Sequence, residues 1–316
     1  EIYTLSLHDA LPIYEFMNAF ITAQGFAKVS MTTVLIGAVT NIVLDPLFIY
    51  ALDMGVKGAA MATIFSQAIS CVWVMRFLCG EKTILRLKKE NMAIQLKLLL
   101  PCLALGLSAF IMQSSESVIS VCFNSSLLRY GGDVAVGAMT ILTSVMQFAM
   151  LPLQGIAQGA QPITSYNFGA RNTKRVKQTF KCLLLVSVLY STLLWAMIQL
   201  FPQTFAAIFT PNAELIDFTA RAMRVYFAVL LIFGIQIACQ MTFVSIGNAV
   251  SSIIVAVMRK FVLLLPLIYM MPNLVADKTM GVYMAEPIAD TIAVTFTCVL
   301  FFFQFRTALA KVEQGA

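Results

Sequence analysis

The sequence predicts an all-α integral membrane protein: a polytopic helical bundle with about eight transmembrane helices, of an expected twelve arranged in two six-helix lobes. Three observations predict it. Composition comes first, since 60% of the 316 residues are hydrophobic and 11% are charged, where a soluble domain carries roughly 25% charged residues. Second, uncharged runs such as Leu183–Leu200, Val225–Cys239 and Ile292–Phe303 lie within segments of the roughly 20 residues that cross about 30 Å of hydrocarbon as a helix. Third, one pattern is written twice. Pro46-Leu47-Phe48-Ile49-Tyr50, Met54-Gly55-Val56 and Met61–Gln67 return in the same order as Pro266-Leu267-Ile268-Tyr269, Met280-Gly281-Val282 and Met284–Asp290.

The elements follow in chain order. Residues 1–14 include Ser6–Ile13 and the histidine His8, resemble a translated sequencing-adapter remnant, and are set aside from fold reasoning. Residues 15–79 hold spans one and two, Val29–Tyr50 and Ala60–Cys79, read as the end of an amino-terminal lobe. A basic stretch, 80–95, is the expected cytoplasmic linker between lobes. Residues 96–307 hold spans three to eight, a complete carboxy-terminal lobe: Leu96–Asn124, Ala135–Ile156, Phe180–Phe201, Ala222–Val244, Ser252–Met271 and Val282–Phe303. A cytoplasmic tail, 308–316, closes the chain. Pro46, Pro101, Pro152, Pro266 and Pro287 fall inside spans, where bundled helices tolerate them as kinks.

The repeat sets the lobe count. Spans three to eight form six helices ending in the repeated pair, so spans one and two are the last pair of an equivalent preceding unit, and about four helices belong upstream. An even number of helices per unit gives both units one orientation, related by an axis along the membrane normal. Orientation follows from Lys and Arg, which concentrate in cytoplasmic loops. Arg76, Lys82, Arg86, Lys88, Lys89 and Lys97 follow span two, and Arg171, Lys174, Arg175, Lys177 and Lys181 follow span four. Both connections are therefore placed inside, with the carboxy terminus.

The net charge of +6 arises from these loop clusters, so no nucleic-acid partner is expected. The seven cysteines lie in or beside apolar stretches without a Cys-x-x-Cys pair and read as small core side chains, implying neither a disulfide framework nor a metal site. No Gly-rich phosphate loop ending in Gly-Lys-Ser/Thr occurs, and no clustered His, Cys or Asp motif supports an embedded enzyme. No catalytic residue and no organic cofactor are expected.

Intramembrane carboxylates are expensive and so are functional candidates. Asp45, Glu116, Glu286 and Asp290 qualify as coupling-ion candidates. Asp45 and Glu286 lie near the outer ends of their spans, where partial hydration is an alternative. Glu116 stands deeper, in the polar run Gln113–Ser117. Glu286 and Asp290 are four apart on one helix face, where two negative charges would repel. Each acid remains open to a structural reading as a hydrogen-bonded carboxylate. Gln113, Gln147, Gln236 and Gln240 are cavity or substrate candidates. Gln154, Gln158 and Gln161, with Pro162, recur at helical spacing beside small residues and suit helix packing, gating or a water-filled path. Arg259 and Lys260 sit inside span seven; snorkelling to the inner interface is the expectation, and pairing with a carboxylate across the lobe is the alternative.

The run Leu151–Arg171, with Gln158-Gly159-Ala160-Gln161-Pro162, followed by Arg175 and Lys177, resembles the segment joining the second and third helices of the carboxy-terminal lobe in bacterial multidrug and toxin extrusion (MATE) transporters. Phe20–Gly25 and Asn41–Pro46 resemble the entry and outer end of the fifth helix of such proteins, and Met258-Arg259-Lys260 with Pro266 the eleventh. The resemblance covers about residues 15–307 and makes the spans helices five to twelve. It implies a monomeric antiporter in the plasma membrane that exports organic, cationic drugs by alternating access. Inward H⁺ or Na⁺ would drive it, with coupling ion undecided. Glu116 sits where some family members carry an acidic cation ligand, whereas the tenth helix offers Gln236 and Gln240 but no acid. A lipid-linked oligosaccharide flippase of the same superfamily and an inactive fragment are the alternatives.

Overall fold

The computed structural model describes residues 10–80, 83 and 96–314, and the chain divides into two compact units, Glu1–Gln95 and Leu96–Ala316. The expected linker 80–95 lies, apart from Gly80 and Thr83, outside the described residues, as do residues 1–9 and 315–316.

The first unit contains α1 (Ala10–Ala23), α2 (Ala27–Pro46, continued as a π turn over Leu47–Ala51) and α3 (Gly55–Leu78). Helix α1 begins inside the stretch set aside from the sequence; its Ile21 is buried against Val74 and Leu78. What holds α2 to α3 is small side chains. Gly58, Ala62, Ser66, Ser70, Val74 and Leu78 recur every fourth residue as the buried face of α3. A Cβ on Gly37 of α2 would stand 2.7 Å from the Ser70 Oγ. Close backbone approach of this kind is how helices associate in lipid, where no hydrophobic force separates helix from solvent.

The second unit contains α4 (Leu96–Gly169), α5 (Thr173–Leu200), the short α6 (Pro202–Ala207), α7 (Ala213–Tyr226), α8 (Leu230–Ser245), α9 (Ala249–Val257), a π turn over Met258–Leu264, α10 (Leu265–Leu274) and α11 (Lys278–Gln314). Asn172, Asn212 and Asn248 cap α5, α7 and α9 by accepting backbone N–H groups through their side chains. Six helical stretches among the described residues are long and apolar enough to span a membrane, and the bent pair α7–α8 makes a seventh. One of the six runs from Gln113 to Gly169 and contains the expected span four with the end of span three, so the count is roughly consistent with the sequence reading.

Three features are informative. The expected spans three and four are the two helices of α4, which meet at a non-helical Gly132 (φ 64°, ψ −159°), a conformation open to glycine alone. Helix α11 closes the break: Thr279 Oγ1 donates to the Tyr130 carbonyl at 3.0 Å, and the Tyr283 hydroxyl donates to the Ala135 carbonyl at 2.7 Å. Span six, expected as a continuous helix over 222–244, is instead α7 and α8 meeting at 52°. Its loosened carbonyls are met from one face of α5. Ser191 donates to Leu231 at 2.8 Å, Trp195 to Ala228 at 2.8 Å and Gln199 to Arg224 at 3.0 Å. Irregular backbone survives at membrane depth when neighbouring helices supply such partners. Finally, prolines 46 and 266 are each associated with a π turn rather than a simple kink.

Two of the apolar clusters in the second unit are built largely from aromatic and long aliphatic side chains. One gathers Phe123, Leu142, Met223, Phe227, Ile268 and Tyr283. The other stacks Phe180, Phe301 and Phe305 beside Phe243 and Val176.

Candidate functional site

The site forms where α4, the π turn and α11 meet inside the second unit. Proline 266 has no N–H to offer, so the hydrogen-bond ladder ahead of it cannot continue undisturbed. The chain opens into the π turn Met258–Leu264, closed by Leu265 N–H donating to the Lys260 carbonyl. Single π turns frequently mark functional sites, and this one carries the two basic residues of the span.

Both are paired. Arg259 donates through Nε to Asp290 Oδ1 at 2.6 Å and through Nη2 to Glu286 Oε1 at 3.1 Å. Its guanidinium also lies over the ring of Phe233 on α8, 4.7 Å from the centroid, a favourable cation–π contact. Lys260 Nζ reaches both oxygens of Glu116 on α4, Oε1 at 3.0 Å and Oε2 at 3.1 Å, and stands 4.0 Å from Glu286 Oε1. One oxygen of Glu286 thus faces both cations. The expectation that Arg259 and Lys260 snorkel away from the bundle is corrected: their side chains are 12% and 8% exposed. The reason is electrostatic, because charges in low dielectric gain more from facing opposite charges than from a long reach to the interface. Glu286 is likewise buried, not hydrated at a span end.

The five groups differ in accessibility. Asp290, Glu286, Arg259 and Lys260 are closed in, whereas the Glu116 side chain is 55% exposed. Three carboxylates face two cations, so the cluster carries one uncompensated negative charge when all five are ionised. Nearby on α8, Gln236 is buried with its side-chain carbonyl oxygen lacking any hydrogen-bond donor among the described residues, and Gln240 is buried one turn further on.

Other candidates stand elsewhere. Asp45 belongs to the first unit, half-buried, with Asn41 donating to it at 3.4 Å. Gln113 and Gln147 are exposed. Gln154 and Gln158 are exposed on α4, Gln161 and Pro162 are half-buried, and Leu153 and Ala157 supply the core-facing side of that helix.

The family model described as MatE matches residues 108–270, more than half of the chain. The chain belongs to the MatE family. It is 22% identical over 302 residues to the multidrug export protein MepA of Staphylococcus saprophyticus, a match covering 95% of this chain and 66% of that protein. It is 23% identical over 260 residues to MepA of Staphylococcus aureus, covering 82% and 57% respectively. The chain therefore spans less than two thirds of the length of these relatives. Its fold is that of a solved outward-facing multidrug resistance MATE family transporter of the MOP superfamily, with a TM-score of 0.89, 22% identity, and coverage of 98% of this chain and 68% of the other. The MatE family is one of membrane transporters, and the chain is a multi-pass membrane protein of that family.

Proposed function

We propose that this MatE-family chain serves multidrug efflux: it exports organic cations across a bacterial plasma membrane, as a monomer with its carboxy terminus in the cytoplasm, by alternating access driven by inward H⁺ or Na⁺. The observation that carries the reading is the uncompensated carboxylate of the five-charge cluster. Holding one negative charge in a membrane lobe is costly, so the cluster favours taking up one monovalent cation at a time. A coupling ion and a cationic substrate then compete for the same charge, and a site that alternates between them performs exchange. Gln236, with a free acceptor oxygen, and Gln240 shape the neighbouring wall. Names of the relatives support the substrate class, since both are multidrug export proteins.

A flippase for lipid-linked oligosaccharide would carry a pyrophosphate and needs a surplus of cations where it binds. The surplus in the five-charge cluster is acidic, which favours the cation exporter.

The test is gradient-driven efflux of a fluorescent organic cation by the full-length gene product in proteoliposomes, with Glu116→Gln and Asp290→Asn made singly. Expected is normal incorporation with efflux lowered at least about tenfold, the effect of losing one charged partner in a buried site. Normal efflux with unchanged ion dependence in both variants would show that these carboxylates are structural.

A further inference from the structure

The two cations of the cluster are not held alike. Arg259 is fixed on three sides, by Asp290 at 2.6 Å, by Glu286 at 3.1 Å and by the Phe233 ring at 4.7 Å. Both of its carboxylates are closed in, so parting it from them would strand buried charge. Lys260 is different. Its main partner, Glu116, is 55% exposed, so that carboxylate can be hydrated, or claimed by another cation, as the ammonium leaves. Lys260 also has somewhere to go, because Glu286 Oε1 already stands 4.0 Å from its Nζ. An ammonium is a compact point charge on a flexible stem and can transfer between two acceptors in a way a two-pronged guanidinium cannot.

The geometry points to Lys260 as a tethered, displaceable occupant of a cation site at Glu116: an incoming monovalent organic cation takes the Glu116 carboxylate while the Lys260 ammonium retreats to Glu286. The inference rests on the proposed export of organic cations and adds the residue that sets affinity for them. Charge balances throughout. Three carboxylates face Arg259, Lys260 and one exchangeable monovalent cation, which is the coupling ion before binding and the organic cation once that ion has left. A dication would leave a surplus positive charge, so the site selects singly charged substrates. Lys260 acts here as a specificity-determining competitor. It weakens binding of every cation by the work of its own displacement, which keeps a bound substrate releasable.

The experiment measures the Kd of tetraphenylphosphonium for the full-length gene product in detergent micelles, with monodispersity checked for each variant. Lys260→Gln removes the competitor, and the Kd is expected to tighten about tenfold, the equivalent of one charge-assisted hydrogen bond. Lys260→Arg keeps the charge but binds Glu116 through a fork that is harder to displace, and the Kd is expected to weaken by about fivefold or more. The second variant guards against a nonspecific effect of removing a positive charge, and against failure of the first to fold. An unchanged Kd in Lys260→Arg, or an unchanged or weakened Kd in folded Lys260→Gln, overturns the proposal while leaving cation export in place. Absence of tetraphenylphosphonium binding and efflux by the unaltered protein overturns both.

Discussion

The same helix pair occurs twice in this chain, and the two copies differ in where they put charge. In the first, α2 and α3 meet through Gly37, Ser66 and Ser70, and the positions matching Glu286 and Asp290 are Thr63 and Gln67. Val39 and Thr40 stand ahead of Pro46 as Arg259 and Lys260 stand ahead of Pro266. A proline and a π turn occur in both copies. The pair can therefore be held by small-residue packing without charge at these four positions, the half-buried acid of the first copy, Asp45, lying elsewhere on α2. Four charges placed there in the second copy alone, at a cost in the membrane, point to a function beyond folding.

Four substitutions sharpen or break that comparison. The largest effect is expected from Arg259→Met, which leaves Glu286 and Asp290 buried without their cation; breaking a buried ion pair from one side costs about 3–5 kcal/mol. The full-length protein should lose most of its thermal stability in detergent, and a melting temperature within a degree or two of the parent would break the account. Next comes Gly37→Leu in the first copy. A larger side chain must displace Ser70, and overpacking of this kind costs about 1–3 kcal/mol, read as a lowered melting temperature with efflux per folded molecule unchanged. A smaller loss, about 0.6 kcal/mol, the average for interhelical hydrogen bonds in membranes, is expected for Ser191→Ala, which frees the Leu231 carbonyl at the α7–α8 break. The smallest belongs to Thr63→Val: its hydroxyl bonds only to the Ala59 carbonyl of its own helix. Stability should change by no more than about 0.5 kcal/mol, with transport intact; loss of efflux there would show that the first copy also carries function.

Much of the fold was legible because lipid simplifies the rules. Span length, proline position and the repeated motifs located every long helix of the second unit, and the broken span over 213–245 escaped only because hydropathy reports apolarity and not continuity. Gly132 lies in the gap expected between spans three and four, beside Arg129 and Asp133, but its bracing by Thr279 and Tyr283, far along the chain, gave no local signal. At the site, Glu116, Glu286, Asp290 and Arg259 were all identifiable as charges in hydrocarbon. Their grouping was only the alternative to snorkelling, with no partner named, because Lys260 and Glu116 stand 144 residues apart in sequence. A charge-balance argument could have found it: two adjacent bases in one span and three acids in others must meet if the membrane interior is to remain near neutral. Phe233 carried no signal at all among 24 phenylalanines.

The central claim is that one excess carboxylate charge, in the cluster that Glu116 forms with Arg259, Lys260, Glu286 and Asp290, is shared in turn by coupling ion and substrate. Its most direct test is to add tetraphenylphosphonium to the purified full-length protein and measure the H⁺ or Na⁺ displaced. Because linkage is reciprocal, about one ion should be released for each cation bound by the unaltered protein, and close to none in Glu116→Gln. Equal release by both proteins, or binding without any release of either ion, would contradict the account.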